Sequence, residues 1–342
     1  MKASELLKYV AKAAAVVDNN CLVPIAKNLL FKGNWIQATD LQTSINVSTP
    51  FGFGDPIAVD SQKLVAILKA LKNQEIEFDL GFPVTSISTK NGEYEISAYD
   101  GNDFPPIKFG ETENKTKAYI LQRAVELTEK NISDDGLRPV MTGVYFDAEQ
   151  GYVVATNGHK LGRYQSKFDE SFILPAAAFP LIKNFEDKEV FYGASDNNIT
   201  FATEGVIFSV RKIDGNYPPY QKVIPTENNK TLTIEQSELL TAAKRVGLFA
   251  SQESSSIILE LGDIPKIKGQ DINYGNKAEE DLLATYEGAS MTIGVNGKYL
   301  IELLNTSGEG TLDITFSEPN RPVLITNRNN PRYLQLVMPV SI

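Results

Sequence analysis

A chain of 342 residues is too long for one ordinary core, and with 42% hydrophobic and 22% charged residues, 24 Gly and 17 Pro, it has the composition of a folded globular protein. One Cys, Cys21, and one His, His159, exclude an intrachain disulfide and a His/Cys zinc cluster, and no run of about 18 apolar residues offers a membrane span. A formal charge of -10 argues against nucleic acid as a partner until the distribution of that charge is considered.

From the amino terminus, MKASELLKYVAKAAAVV repeats Lys at helical spacing, which predicts a helix over 3–17 and not a cleaved leader, so the expected location is the cytoplasm. NWIQATD and TSINVST follow with the period-two alternation of half-buried strands. From Ile57, IAVDSQKLVAILKAL runs as an apolar strand to a helix-start residue, Asp60, and then places Leu64, Ile67, Leu68 and Leu71 at three-and-four spacing. TSISTKNGEYEISAYD reads as a hairpin turned at Asn-Gly, and DGNDFPPI from Asp100 as a turn with a proline-stiffened exit.

The same order then begins again. AYILQRAVELTEKN predicts a helix over 118–131, and ATNGHKL at 155–161 follows ATDL at 38–41 by 117 residues. ILPAAAFPLIKNF from Ile173, with Pro175 as the helix-start residue, follows Ile57 by 116, and DGNYPPY from Asp214 follows Asp100 by 114. A third copy opens with EQSELLTAAKRVGLFA over 235–250, repeats the strand-to-helix signal 120 residues on in IGVNGKYLIELLNT from Ile293, with Asn296 as helix start, and ends in YLQLVMPVSI.

Three copies at near-equal spacing predict an α+β protein of three repeated domains, 1–112, 113–228 and 229–342, each ordered helix, strands, helix, strands. Two helices cannot cover both faces of two sheets, so the sheets are expected outside and the helices on one side. A row of such units leaves open strand edges, to be capped or paired with another subunit. Residues 1–114 carry 10 Lys, no Arg and 14 acids, yet helical segments 2–17 and 61–72 carry Lys2, Lys8, Lys12, Lys63, Lys69 and Lys72 against Glu5 alone. Positive helices on a negative body suit a protein that turns one surface to a polyanion. Lysines that merely solvate exposed helices would look similar.

Catalysis finds few candidates. His159 in NGHKL has no nucleophile motif beside it, and Cys21 lies in the mostly apolar CLVPIA. Neither GxSxG, a Walker loop nor GxGxxG precedes a helix, and Asp134-Asp135 and Glu279-Glu280-Asp281 read as solvated acids in polar segments. No catalytic residue, metal or cofactor is expected. The competing non-enzymatic reading is a structural β-repeat scaffold that does not bind DNA.

Four landmarks, ATNGHKLGRY at 155–164, DGNYPPYQKVIP at 214–225, IGVNGKYLIELLN at 293–305 and VMPVSI at 337–342, make the whole chain resemble the bacterial DNA polymerase III beta subunit, the sliding clamp. The resemblance implies the DNA clamp fold in a head-to-tail homodimer, six domains around a hole through which duplex DNA passes without sequence readout. It implies a processivity factor whose partners are the replicative DNA polymerase, the clamp loader, repair polymerases and other proteins carrying short clamp-binding peptides. Helix positions make Lys8, Lys12, Lys69, Lys72, Arg123, Lys183, Lys244 and Lys298 the candidates to line the hole. Carried over residue by residue, the peptide pocket takes Met141, Thr156, Gly158, His159, Lys160 and Leu161 from the second copy and Pro218, Lys222 and Val223 from the connector. The third copy adds Asn296, Tyr299, Pro322, Leu336, Met338, Pro339 and Val340. The subunit contact is expected between Tyr94 and Ile96 on one side and Leu248 and Phe249 on the other. Three departures bear on these expectations: Asn19 and Asn20 where the family often has a basic residue, Lys222 in place of a common Arg, and Ser341 where the family often has Arg.

Overall fold

The computed structural model describes residues 1–186, 188–271 and 273–342. Among these, six α-helices are defined: α1 Ala3–Ala14, α2 Ser61–Ala70, α3 Ala118–Thr128, α4 Phe179–Lys183, α5 Gln236–Gly247 and α6 Gly297–Ser307. The chain forms two compact units, Met1–Tyr119 with Ala177–Lys212 and Ile120–Ala176 with Ile213–Ile342.

In the first unit α1 buries Ala3, Leu6, Val10 and Ala13, a stripe at helical spacing, while Lys8 and Lys12 fall outside it. Asp60 starts α2 as its sequence predicts, its carboxylate accepting the Lys63 N–H at 2.7 Å, and Leu64 and Leu68 turn inward. α1 and α2 pack against each other. The strand order is Glu77–Asp79, Val84–Thr89, Gly92–Asp100, Thr43–Asp60, Val206–Arg211, Asn198–Ala202, Glu189–Ala194 and Asn114–Lys117, with Asn28–Thr39 also pairing Thr43–Asp60. The first third of the sequence therefore shares one sheet with part of the second.

The second unit repeats that device. Its larger sheet runs Phe172–Pro175, Gly143–Asp147, Tyr152–Thr156, Lys160–Gln165, Asn330–Val337, Val323–Asn327, Thr311–Phe316, Lys230–Glu235 and Ala284–Glu287. A five-stranded sheet adds Asn276–Asp281, Lys266–Asp271, Ser256–Leu261, Met291–Asn296 and Pro339–Val340. Helices α5 and α6 pack together, burying Leu239, Ala243, Val246, Leu300, Leu303 and Leu304 in one core with both sheets. Asn296 caps α6 by accepting the Lys298 and Tyr299 N–H groups, and Gly308 at φ +82° stops it.

Four boundaries differ from the sequence expectation. α1 stops at Ala14 instead of 17. α5 stops at Gly247 instead of 250, and α3 stops at Thr128 with a 3-10 turn over Glu129–Asn131. Pro175 closes the strand Phe172–Pro175 and does not start the helix; a 3-10 turn over Ala176–Ala178 intervenes, Pro180 lies at the helix start, and α4 is a short five residues.

Both cross-copy pairings begin at the same turn. In the first unit the Thr39 hydroxyl donates to the Thr43 carbonyl at 2.9 Å and accepts the Leu41 N–H, while Asp40 accepts the Gln42 and Thr43 N–H groups. In the second unit the Thr156 hydroxyl donates to the Lys160 carbonyl at 2.8 Å and accepts the Gly158 N–H, while Asn157 accepts the His159 and Lys160 N–H groups. Side-chain oxygens thus close each turn before pairing starts. Position for position, Leu41 corresponds to Gly158, and both adopt positive φ, +74° and +88°. The pairing that follows is also the same: the Arg211 N–H bonds the Gln42 carbonyl at 2.8 Å, and the Met338 N–H bonds the His159 carbonyl at 2.8 Å.

Candidate functional site

The second joint carries an apolar socket. Leu161 lies directly opposite Leu336 across the strand pair, and these two join Val154, Tyr220 and Leu324 in a buried cluster. Tyr145, Tyr152, Tyr217, Ile224, Leu334 and Met338 pack around it half-buried. The tyrosines form a braced wall. Tyr217 stacks on Tyr145 with centroids 4.9 Å apart, and its hydroxyl oxygen accepts the Thr156 N–H at 3.0 Å. Tyr220 donates to the Asp147 carboxylate at 2.9 Å, and the Arg163 guanidinium lies 4.3 Å over the Tyr152 ring. Burial pushes the Tyr217 hydroxyl well above the usual tyrosine range, and burial with the Asp147 bond does the same for Tyr220.

The pocket residues expected from the sequence divide by role. Leu161 and Leu336, 1% and 2% exposed, are floor, and Met338 is half-buried above them. Val223, 47% exposed, and Lys222 stand on the 3-10 turn Tyr220–Val223, next to Pro218 and Tyr217 in the chain. Exposed His159 stacks on Tyr299, centroids 6.0 Å apart. Met141 is buried in the turn Pro139–Met141, its methyl 3.7 Å from where a Cβ on Gly158 would stand, so positive φ and not lack of room favours glycine there. Pro339 and Val340 pair with Val295 and Gly294, and Pro322 is half-buried.

Two expectations need correction. The Asn296 side chain is used in capping α6, and the Lys160 side chain, 4% exposed, pairs with Glu302 and the Lys130 carbonyl instead of being free to meet a peptide. The sequence reading missed Tyr145, Tyr152, Tyr217, Ile224 and Glu302. Tyr217 and Ile224 lay inside the DGNYPPYQKVIP landmark; Tyr145 and Tyr152 looked like ordinary strand residues.

Elsewhere, Lys8, Lys69, Lys183, Lys244 and Lys298 are exposed on helices, and Lys72 is exposed just past α2. Lys12 and Arg123 are engaged: Lys12 meets Glu186 at 3.4 Å, and Arg123 meets Glu126 one turn on at 3.0 Å. Lys12, with Lys188 and Lys8, holds the Glu186 carboxyl below its usual range. Tyr94, Leu248 and Phe249 are 37%, 83% and 42% exposed, but Ile96 at 4% belongs to its own unit's core and has no face to offer a partner.

Solved structures share this architecture. A sliding clamp from Pseudomonas aeruginosa bound to griselimycin superposes with a TM-score of 0.91 at 22% identity, covering 100% of this chain and 98% of that one. A sliding clamp from Bacillus subtilis superposes with a TM-score of 0.91 at 21% identity, again over 100% and 98%. The fold is that of the DNA clamps. In sequence, the DNA polymerase III beta subunit central domain matches residues 115–219 and its C-terminal domain matches residues 221–341. The beta sliding clamp of Vibrio cholerae is 24% identical over 99% of this chain and 98% of its own length, and that of Treponema pallidum is 25% identical over 98% and 97%. The chain belongs to the DNA polymerase III beta subunit family, the beta sliding clamps, whose members are non-catalytic processivity factors of DNA replication.

Proposed function

We propose that two copies of this chain close head to tail into a ring of six domains, 1–112, 113–228 and 229–342 from each, around duplex DNA. The socket then tethers the replicative polymerase, the clamp loader and repair polymerases through short extended peptides, in the cytoplasm where the chromosome lies. The observation that carries this reading is the repeated joint. Thr43–Asp60 pairs with Val206–Arg211, and Lys160–Gln165 pairs with Asn330–Val337, so each copy offers the strand after its turn to the last long strand of the next copy.

In the third copy the corresponding strand is Asn276–Asp281, an edge that among the described residues pairs only with Lys266–Asp271. In the first copy the last strand is Gly92–Asp100, which beyond Val84–Thr89 pairs only at Ala98, Tyr99 and Asp100. Carrying the rule one step further joins these two edges between chains, and two such joints close a ring. Tyr94, Leu248 and Phe249 are the exposed apolar side chains this contact would cover.

Exposed lysines on the helices would meet phosphates without reading bases, and topology would hold DNA that such screened contacts hold only weakly. Leu161, Leu336 and adaptable Met338 suit Leu or Phe anchors of an extended peptide. Sedimentation equilibrium tests the closure. A mass of two 37.7 kDa chains is expected, and a monomer at every concentration overturns the ring.

A further inference from the structure

We propose that Lys160 is a positioning residue for the socket, acting through Glu302 from the far side of the sheet; the inference rests on the peptide-docking reading above. Successive residues of a strand point to opposite faces. Leu161 enters the apolar cluster, and Lys160 beside it turns its ammonium to α6. A buried ammonium needs compensation, and three groups supply it: the Glu302 carboxylate, the Lys130 carbonyl within the 3-10 turn after α3, and the Tyr299 ring, 5.3 Å from Nζ. Tyr299 and Glu302 are three apart and share one face of α6, and Tyr299 also stacks on His159. One helix face thus grips two successive residues, His159 and Lys160, immediately before the socket floor.

The first unit shows that the fold does not require this grip. At the position of Lys160 it has Thr43, with the same backbone bonds and the same cross-strand valine, Val210 in place of Val337. The Thr43 hydroxyl, buried, finds no partner among the described residues. A joint forms equally well without a strut, and the strut is present where the socket is.

The test measures binding of a fluorescein-labelled extended peptide with Leu and Phe anchors to the full chain and its variants. Lys160→Met should weaken the peptide about tenfold and Glu302→Gln about threefold, since a charge-assisted contact is lost in both. Lys160→Arg should restore most of the affinity. The double variant should bind no worse than Lys160→Met alone, because both changes remove one interaction. Glu302 is half-exposed, so Glu302→Gln is the milder change, although it should lower thermal stability because the buried ammonium loses its counter-ion. Lys160→Arg, which keeps the pair, should unfold close to the wild type and keeps the test informative if Lys160→Met folds poorly. A wild type that binds while Lys160→Met and Glu302→Gln bind equally well overturns this inference alone, and so do fully additive losses. A wild type that fails to bind removes the docking reading and this inference with it.

Discussion

The joint of the first unit and the joint of the second are built on one backbone plan and carry different side chains. The turns share every hydrogen bond described above, and the cross-strand pairs fall in the same register. Where the second joint pairs Leu161 with Leu336, the first pairs Ser44 with Ser209. Met338 corresponds to Arg211, Lys160 to Thr43 and Gly158 to Leu41. Near the first joint, beside Val47 and Val206, the surroundings are ionic, Lys12 and Lys188 meeting Glu186 at 3.4 and 3.6 Å; around the second they are tyrosine. Pairing of copies is thus a property of the repeated backbone and its turn. Docking is a property of a few residues placed on one of the two joints.

The largest expected break comes at the floor. Leu161→Ala should lower stability by about 2–5 kcal/mol, since it empties a buried site, and abolish peptide binding. Ser44→Ala at the matching position should change stability by less than about 1 kcal/mol, because Ser44 is half-buried and contributes one hydroxyl contact, to Thr39 at 2.9 Å. Denaturant titration checks both, and equal losses would mean that the two joints are not distinguished by their floors. Met338→Ala separates binding from folding more cleanly than any leucine change. The side chain is half-buried, so peptide affinity should fall about tenfold, near 1.4 kcal/mol, with the dimer mass unchanged.

A smaller effect sharpens the comparison at the turns. Leu41 holds φ +74° and Gly158 φ +88°. Leu41→Gly should stabilise the first unit and Gly158→Leu should destabilise the second, each by about 1 kcal/mol, because an L side chain is strained in the left-handed region. The same sign for both substitutions would show that the turns are not equivalent.

The smallest effect is a titration. Glu186 is held below its usual carboxyl range by Lys12 first. A carboxyl with a lowered folded-state pKa contributes stability that is present above its unfolded value and lost as pH falls through the folded one. Lys12→Ala should therefore raise the Glu186 pKa, followed by NMR, and shift the acid-side loss of stability to higher pH. Tyr217 and Tyr220 at the other joint, their hydroxyls raised above the usual range, should be unaffected by the same change of pH.

Much of this was legible in the sequence because it is carried by local signals. The recurrence of ATDL as ATNGHKL marks the turn, since Thr and Asp or Asn close it with their own side chains. Asp60 and Asn296 marked helix starts for the same reason. Leu161, Leu336 and Met338 were expected together and meet in one cluster. What local signals do not carry is the direction of a side chain after long-range pairing. Lys160 reads as a pocket residue until Glu302, 142 residues away, is placed beside it. Ile96 reads as an interface residue until its strand alternation turns it inward, and Lys12 as a free cation until Glu186 meets it. The sharing of each large sheet between two copies was also not legible, because strand order is set by partners far apart in the chain.

The central claim is that the ring holds DNA by enclosing it. Protein assembled by a clamp loader on circular duplex should stay bound through gel filtration at high salt and be released once a single cut linearises the circle. Retention unaffected by linearisation would contradict the account.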